Sequence, residues 1–104
     1  MSESEDARTW QLDRGIKLLW HDWESEFLVY NETSGATHLL ESATATLLRE
    51  IELEPRTFRS LENHCAEFFQ DAPPEEISEW LHETLRQFEG LGLIREIKNR
   101  PSAA

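Results

Sequence analysis

The stretch YNETSGATHLLESATATLLREI, residues 30–51, takes the chain from a turn through a short strand into a helix, and this order decides the fold. Asn31 and Gly35 are residue types that tolerate a positive φ angle, which predicts the turn. Residues 36–40 follow as a neutral strand whose side chains must alternate between the two faces of a sheet. The stretch therefore predicts a last sheet strand followed at once by a helix that packs beneath the sheet.

Two more strands are predicted upstream of this stretch. Residues 15–20 and 26–30 are rich in β-forming side chains, and the polar residues 21–25 between them predict a loop. Trp23, at the centre of that loop, is expected to pack rather than to recognise a ligand. The three strands together predict an antiparallel meander.

Three helices are predicted after the meander. Ser42 is the expected N-cap of a helix over about residues 43–53, and Thr57 is the expected N-cap of a second helix. The proline pair at residues 73–74 starts a third helix, which closes at a glycine and is followed by a short strand over residues 93–97. The order β-β-β-α-α-α predicts an α+β domain in which the helices cover one face of the sheet.

The length and charge of the chain limit its organisation and its partners. The 104 residues are enough for one domain, placed at residues 10–98, with a disordered N-terminus over residues 1–9 and a flexible tail over residues 99–104. The net charge of −11, from 21 acidic against 10 basic residues, opposes binding to nucleic acid. Because no signal peptide and no membrane-spanning apolar run are recognised, the sequence predicts a cytoplasmic protein without a membrane partner.

The residues that support catalysis or bind metals in other proteins lack the required spacing here. The histidines are His21, His38, His64 and His82. They do not pair at i, i+4 spacing, and the neighbours His64 and Cys65 would point about 100° apart on a helix. Cys65 falls on an apolar stripe and is interpreted as a buried thiol. The sequence therefore predicts a protein that is not an enzyme and that uses neither a metal nor another cofactor.

Six short motifs, in their order and spacing, resemble the PqqD family of small peptide chaperones. These proteins are also called RiPP recognition elements, and the likeness is to the branch named for an HPr-kinase-related system. The motifs are Leu-Leu-Trp20, Phe-Leu-Val-Tyr30, Ser34-Gly-Ala-Thr-His38-Leu-Leu-Glu41, Leu47-Leu48, Pro73-Pro74-Glu-Glu-Ile77 and Leu91-Gly-Leu-Ile94. The resemblance covers about residues 10–97. It implies a winged-helix-like domain that binds the leader of a ribosomally made precursor peptide and presents it to a separately encoded modifying enzyme.

The resemblance also implies a binding site. In the family the leader adds a strand to the edge of the three-stranded sheet, in the cleft between the third strand and the third helix. In such strand addition, backbone hydrogen bonds supply affinity and pockets for alternate side chains supply selection. Carried onto this chain, the strand edge consists of Ala36, Thr37, His38, Leu39 and Leu40. The opposing wall consists of Ile77, Trp80, Leu81, Thr84 and Phe88.

Two other interpretations of the same elements stay open. The second and third helices have helix-turn-helix proportions, which would suit a transcription regulator. Against this, Arg86 is the one Lys or Arg among residues 74–89, which hold five glutamates. Alternatively, the sheet edge pairs with a second copy of the chain in a dimeric scaffold. The position of Trp80 is likewise open between the core and the groove.

Overall fold

A computed structural model describes residues 8–97, with the exception of the Trp23 side chain. Within these residues the strands are β1 (Thr9–Leu12), β2 (Leu18–Trp23), β3 (Glu26–Asn31), β4 (Thr37–Glu41), β5 (Arg56–Thr57) and β6 (Ile94–Ile97). The helices are α1 (Ser42–Leu53), α2 (Phe58–Phe68) and α3 (Pro74–Gly90). The predicted α+β class, with a three-stranded sheet before three helices, is confirmed. None of the helices in the described range is long and apolar enough to cross a bilayer.

Strands β2, β3 and β4 form the predicted antiparallel meander, with β3 at its centre. β2 starts later than predicted and runs on through Trp23. The predicted loop over residues 21–25 is therefore wrong, because His21 and Asp22 pair with residues of β3. A tight turn remains, in which Glu24 adopts a φ of 59°.

Helix α1 covers one face of this sheet. Val29 and Leu40 are buried in the core on that side, as the alternation of the strands requires. Trp20 donates from its Nε1 to Glu52 Oε1 of α1 at 2.9 Å, and the Arg49 guanidinium lies 4.4 Å from the centre of the Trp20 ring. The contact between α1 and the sheet thus combines apolar burial with a hydrogen bond and a cation–π contact.

Strands β5, β1 and β6 form a second small sheet, of which only the last strand was predicted from the sequence. That short C-terminal strand is confirmed as β6. Trp10 of β1 is buried. The Arg8 guanidinium forms a bidentate ion pair with the Glu96 carboxylate of β6, with both N···O distances at 2.9 Å. Because Thr9 pairs with Ile97, residues 8 and 9 belong to the folded unit and not to the predicted disordered N-terminus. The rest of that segment, residues 1–7, and the predicted flexible tail lie outside the described residues.

One of the two predicted helix N-caps is confirmed. Thr57 caps α2, because its Oγ1 accepts the N–H of Ser60 at 3.1 Å. Ser42 is not the N-cap of α1. It is the first helical residue, and the cap position is taken by Glu41, whose side chain makes no capping bond. The reason is that β4 extends through Glu41 and passes directly into the helix.

The core unites both sheets with all three helices. Its largest fully buried side chains are Trp10, Phe58, Phe88, Leu47, Leu48, Ile51, Leu61, Leu81, Leu93, Val29 and Cys65. α3 begins at the predicted proline corner and ends at Gly90. The chain reverses at Gly92, which has a φ of 76°, so that the Leu93 N–H donates to the Phe88 carbonyl at 3.0 Å. This reversal directs the chain from α3 into β6.

We expect Thr57→Ala to lower the free energy of unfolding by about 1 kcal/mol, because it removes the hydrogen bond that satisfies the first turn of α2. Ser42→Ala is the matched control, since Ser42 makes no capping bond and should change stability by less than about 0.5 kcal/mol. Urea denaturation followed by circular dichroism measures both. Equal losses in the two variants would contradict the assigned caps.

Candidate functional site

The turn before β4 determines where this strand enters the sheet. The Asn31 side chain is buried, and its Oδ1 accepts the N–H groups of Thr33 at 2.9 Å and Ser34 at 3.3 Å. Gly35 adopts a φ of 83°, and its N–H donates to the Asn31 carbonyl at 2.8 Å. The predicted turn is confirmed. Ala36, predicted as the first strand residue, lies at the end of the turn, because β4 begins one residue later.

β4 is an edge strand, and its pairing with β3 shows which backbone groups are open. Among the residues that the structure describes, no strand pairs with the side of β4 that faces away from β3. The Asn31 N–H donates to the Ala36 carbonyl at 2.8 Å, and hydrogen-bonded pairs alternate along an antiparallel ladder. His38 therefore bonds to β3, whereas Thr37 and Leu39 direct their N–H and C=O groups to the open side.

The side chains of β4 divide between two environments. Thr37 and Leu39 lie on the outer face of the sheet, where 54% of Leu39 is exposed, and Leu40 is buried on the inner face. His38 is half-buried, and its Nε2 atom is shielded from solvent without a hydrogen-bond partner in the described part of the chain. Buried polar atoms are seldom left unpaired. His38 Nε2 is an unpaired polar atom near the open edge, and Trp10 Nε1 and His64 Nε2 are in the same state among the described residues.

The outer face of the meander is apolar next to the open edge. Leu39 lies opposite Leu28 of β3, and Tyr30 lies opposite Leu19 of β2. Tyr30 is 38% exposed and Leu19 is 49% exposed. Leu39 was predicted as part of the binding edge, whereas Leu19, Leu28 and Tyr30 were not predicted as site residues. A signal in the sequence could have indicated this surface. β2 and β3 carry apolar residues at successive positions, and such residues point to opposite faces of a sheet, so both faces are apolar.

The opposite edge of the sheet, β2, differs in charge. The Glu32 N–H donates to the Lys17 carbonyl at 2.9 Å, so the same alternation leaves the backbone groups of Trp20 and Asp22 on the open side of β2. Asp22 is exposed there, and charged side chains protect sheet edges from pairing with other chains. β4 carries no charged side chain before Glu41. Of the two edges, β4 is therefore the less protected.

Most of the wall predicted on α3 packs inside the domain. The buried members are Ile77, Leu81, Thr84 and Phe88. Thr84 also donates from its Oγ1 to the carbonyl of Trp80 at 2.8 Å, within the helix. Trp80 is half-buried at the margin of the core, where its ring meets Phe69 edge to face at a centroid distance of 5.0 Å. Trp80 is thus the member of the predicted wall that offers clear access to a ligand.

The exposed face of α3 is acidic. Its exposed charged residues are Glu75, Glu76, Glu79, Glu83, Arg86 and Glu89. In a helix-turn-helix protein the corresponding helix approaches phosphates, which this face would repel. The surface of α3 therefore does not favour the interpretation as a transcription regulator.

The histidines and Cys65 do not converge on a common centre. Within residues 8–97, no three His, Cys, Asp or Glu side chains lie close enough together to hold a metal ion. The His64 ring packs on Phe68 at a centroid distance of 5.4 Å, and Cys65 is buried as predicted. Burial, together with the smaller influence of the Glu62 carboxylate, raises the pKa of the Cys65 thiol to about 11. Cys65 therefore stays protonated over the physiological pH range.

We expect the Cys65 thiol to react with a thiol reagent far more slowly in the folded protein than in guanidinium chloride, because the thiolate is the reactive form. The raised pKa also stabilises the fold below pH 9, the ordinary value for this thiol, and this contribution is lost as the pH rises toward 11. Cys65→Ala should therefore show a flatter loss of stability across this window, measured by denaturation at several pH values. Rapid labelling of the folded protein would contradict the buried position.

The candidate site thus consists of an open, neutral strand edge with an apolar outer face beside it, and Trp80 lies against Phe69 at the corner between α2 and α3. No protein-family model matches the chain. The comparisons with curated proteins and with solved structures likewise found no match.

Proposed function

We propose that this protein is a non-catalytic peptide-binding module. It captures the leader of a ribosomally made precursor peptide by strand addition along β4 and presents it to a separate modifying enzyme. The observation that carries the proposal is the open side of β4, where Thr37 and Leu39 direct backbone N–H and C=O groups outward on an uncharged stretch of strand. The motifs shared with the PqqD family support a leader peptide as the occupant.

The backbone of β4 supplies affinity in this proposal. An extended peptide beside the strand would use two donors and two acceptors, the N–H and C=O groups of Thr37 and Leu39. A hydrogen bond of this kind contributes about 1 kcal/mol net, so four of them give weak binding without side-chain contacts. The leader must therefore gain the rest of its affinity from its side chains.

The two faces of β4 specify different side chains on the leader. On the outer side, alternate residues of the peptide would lie beside Leu39 and the apolar face that it forms with Leu28 and Tyr30. On the inner side, the other residues would approach the half-buried His38 ring. We therefore expect a leader that alternates apolar side chains with at least one hydrogen-bonding side chain. The net charge of −11 further favours a basic leader, with association that slows as salt rises.

A displayed library of random short peptides tests the proposal even while the natural leader is unidentified. Peptides enriched on the immobilised protein are synthesised and titrated into ¹⁵N-labelled protein. We expect enriched peptides to show the alternating pattern and to shift the amide signals of Thr37, His38 and Leu39. Shifts confined to β2, or no enrichment, would contradict the proposal.

The same edge also suits pairing with β4 of a second copy, which would make the protein a dimeric scaffold. Sedimentation at several protein concentrations distinguishes the two functions. The proposal predicts a monomer that binds peptide. A stable dimer whose β4 amides do not respond to any enriched peptide would favour the scaffold, and a salt-dependent gel shift on duplex DNA would favour the regulator.

A further inference from the structure

The corner where α2 turns into α3 carries a cleft that strand addition does not require. The cleft has a volume of about 150 Å³ and is lined by Phe69, Ala72, Glu76, Ile77 and Trp80. A wider depression of about 290 Å³ shares three of these residues, Phe69, Ala72 and Ile77. We call the apolar part, Phe69, Ala72, Ile77 and Trp80, the aromatic corner. A concave apolar surface of this size suits one large side chain of a ligand.

The aromatic corner is held in place by the backbone around it. The Phe69 N–H donates to the Cys65 carbonyl at 2.9 Å, and the Ala72 N–H donates to the Phe69 carbonyl at 3.0 Å. The Ile77 N–H donates to the Pro73 carbonyl at 3.2 Å at the start of α3. A cleft that is formed before binding avoids the entropy cost of ordering a flexible one.

The surroundings of the cleft are strongly acidic. Residues 58–90 hold eight carboxylates against two arginines, which places a charge of −6 out of the total of −11 in this part of the chain. Glu76 lines the cleft, and a separate depression that also includes Trp80 is lined by Glu76, Glu79 and Glu83, with Arg86 as its one arginine. All three are exposed, and none of them takes part in the ion pairs Arg8–Glu96, Arg56–Glu50 and Arg56–Glu54. Their charge is complementary to a cationic partner, and the Trp80 ring can also contact a cation.

We propose that the aromatic corner is a docking surface for a partner-protein segment that presents one large apolar side chain between lysine or arginine residues. The apolar side chain enters the cleft and packs against Phe69 and Trp80, whose rings touch each other. The flanking cations lie against Glu76, Glu79 and Glu83. This surface belongs to the helices and leaves the β4 edge open, so the inference goes beyond the proposed function and does not rest on it.

The probe is a short synthetic peptide with one phenylalanine between two pairs of lysines, titrated into the full-length ¹⁵N-labelled chain. One control peptide has glycine in place of phenylalanine, and the other has glutamates in place of the lysines. We expect the first peptide to shift the Trp80 indole and Ala72 amide signals, and both controls to bind roughly tenfold more weakly or worse. Equal binding of the glycine peptide, no binding of the first peptide, or shifts confined to β4 would each overturn the proposal.

Matched charge variants distinguish contacts at the cleft from a general effect of the protein's net charge on peptide affinity. Glu76→Gln combined with Glu79→Gln should weaken the first peptide roughly fivefold, because it removes two flanking contacts. Glu32→Gln combined with Glu89→Gln removes the same charge at exposed positions that do not line the cleft, and should change the affinity less than about twofold. Both pairs leave the core intact, so the test does not depend on a variant that fails to fold. Equal weakening by the two pairs would also overturn the proposal.

Discussion

Phe58→Ala is expected to lower the free energy of unfolding by about 3–5 kcal/mol, a large share of the stability of a domain of this size. Phe58 is 1% exposed and follows directly on β5. Its ring lies 5.9 Å from that of Trp10 in β1 and 4.6 Å from that of His82 in α3. The substitution therefore leaves a cavity between the second sheet and the third helix. Urea denaturation monitored by circular dichroism measures the loss.

Phe68→Ala is the matched control for this prediction, because it makes the same change near the other end of the same helix. Phe68 is 43% exposed, although its ring touches those of His64 and Phe69. We expect a loss of about 1 kcal/mol or less. Similar losses of stability in the two variants would contradict the position of Phe58 in the core.

Leu39→Pro is expected to weaken the binding of peptides selected from the displayed library roughly tenfold or more, without unfolding the protein. Proline removes the N–H that Leu39 directs to the open side of β4, and its ring occupies the space that an added strand would take. An edge strand tolerates proline where the N–H faces away from the neighbouring strand, so the meander should persist. Calorimetric titration measures the affinity, and circular dichroism confirms the fold.

Asp22→Pro is the matched control on the other edge of the sheet. The Asp22 N–H likewise faces the open side of its strand, because Asp22 occupies a pair with Phe27 that does not bond across the ladder. The affinity for the selected peptides should change by less than about twofold. A loss of binding in Asp22→Pro with normal binding in Leu39→Pro would place the added strand at β2.

The meander and the helices were predictable because their signals are local. Alternating β-forming residues, the turn from Asn31 to Gly35 and the cap at Thr57 all act within a few residues. β1 was missed because it begins inside the polar N-terminal segment, and β5 was missed because its two residues are too few to show any periodicity. They exist through distant partners, as when Thr9 pairs with both Thr57 and Ile97.

The candidate site was predictable in part. The alternation of residues 36–40 identified β4 and the faces of its side chains, but the helical spacing on α3 could not show how deeply each residue is buried. Leu81 and Phe88 form part of the same apolar stripe as Ile77. This stripe is buried in the core because α2 and β6 pack on α3. The cleft beside Trp80 depends on how the chain turns after Phe69, which periodicity does not describe.

Amide hydrogen exchange of β4 tests the central claim most directly. In the free protein the amides of Thr37 and Leu39 should exchange rapidly and that of His38 slowly, since His38 bonds to β3. Addition of a selected peptide should slow Thr37 and Leu39 roughly tenfold or more, while His38 stays slow. Unchanged exchange at Thr37 and Leu39 in the saturated complex, or new protection at Trp20 and Asp22 instead, would contradict strand addition at β4.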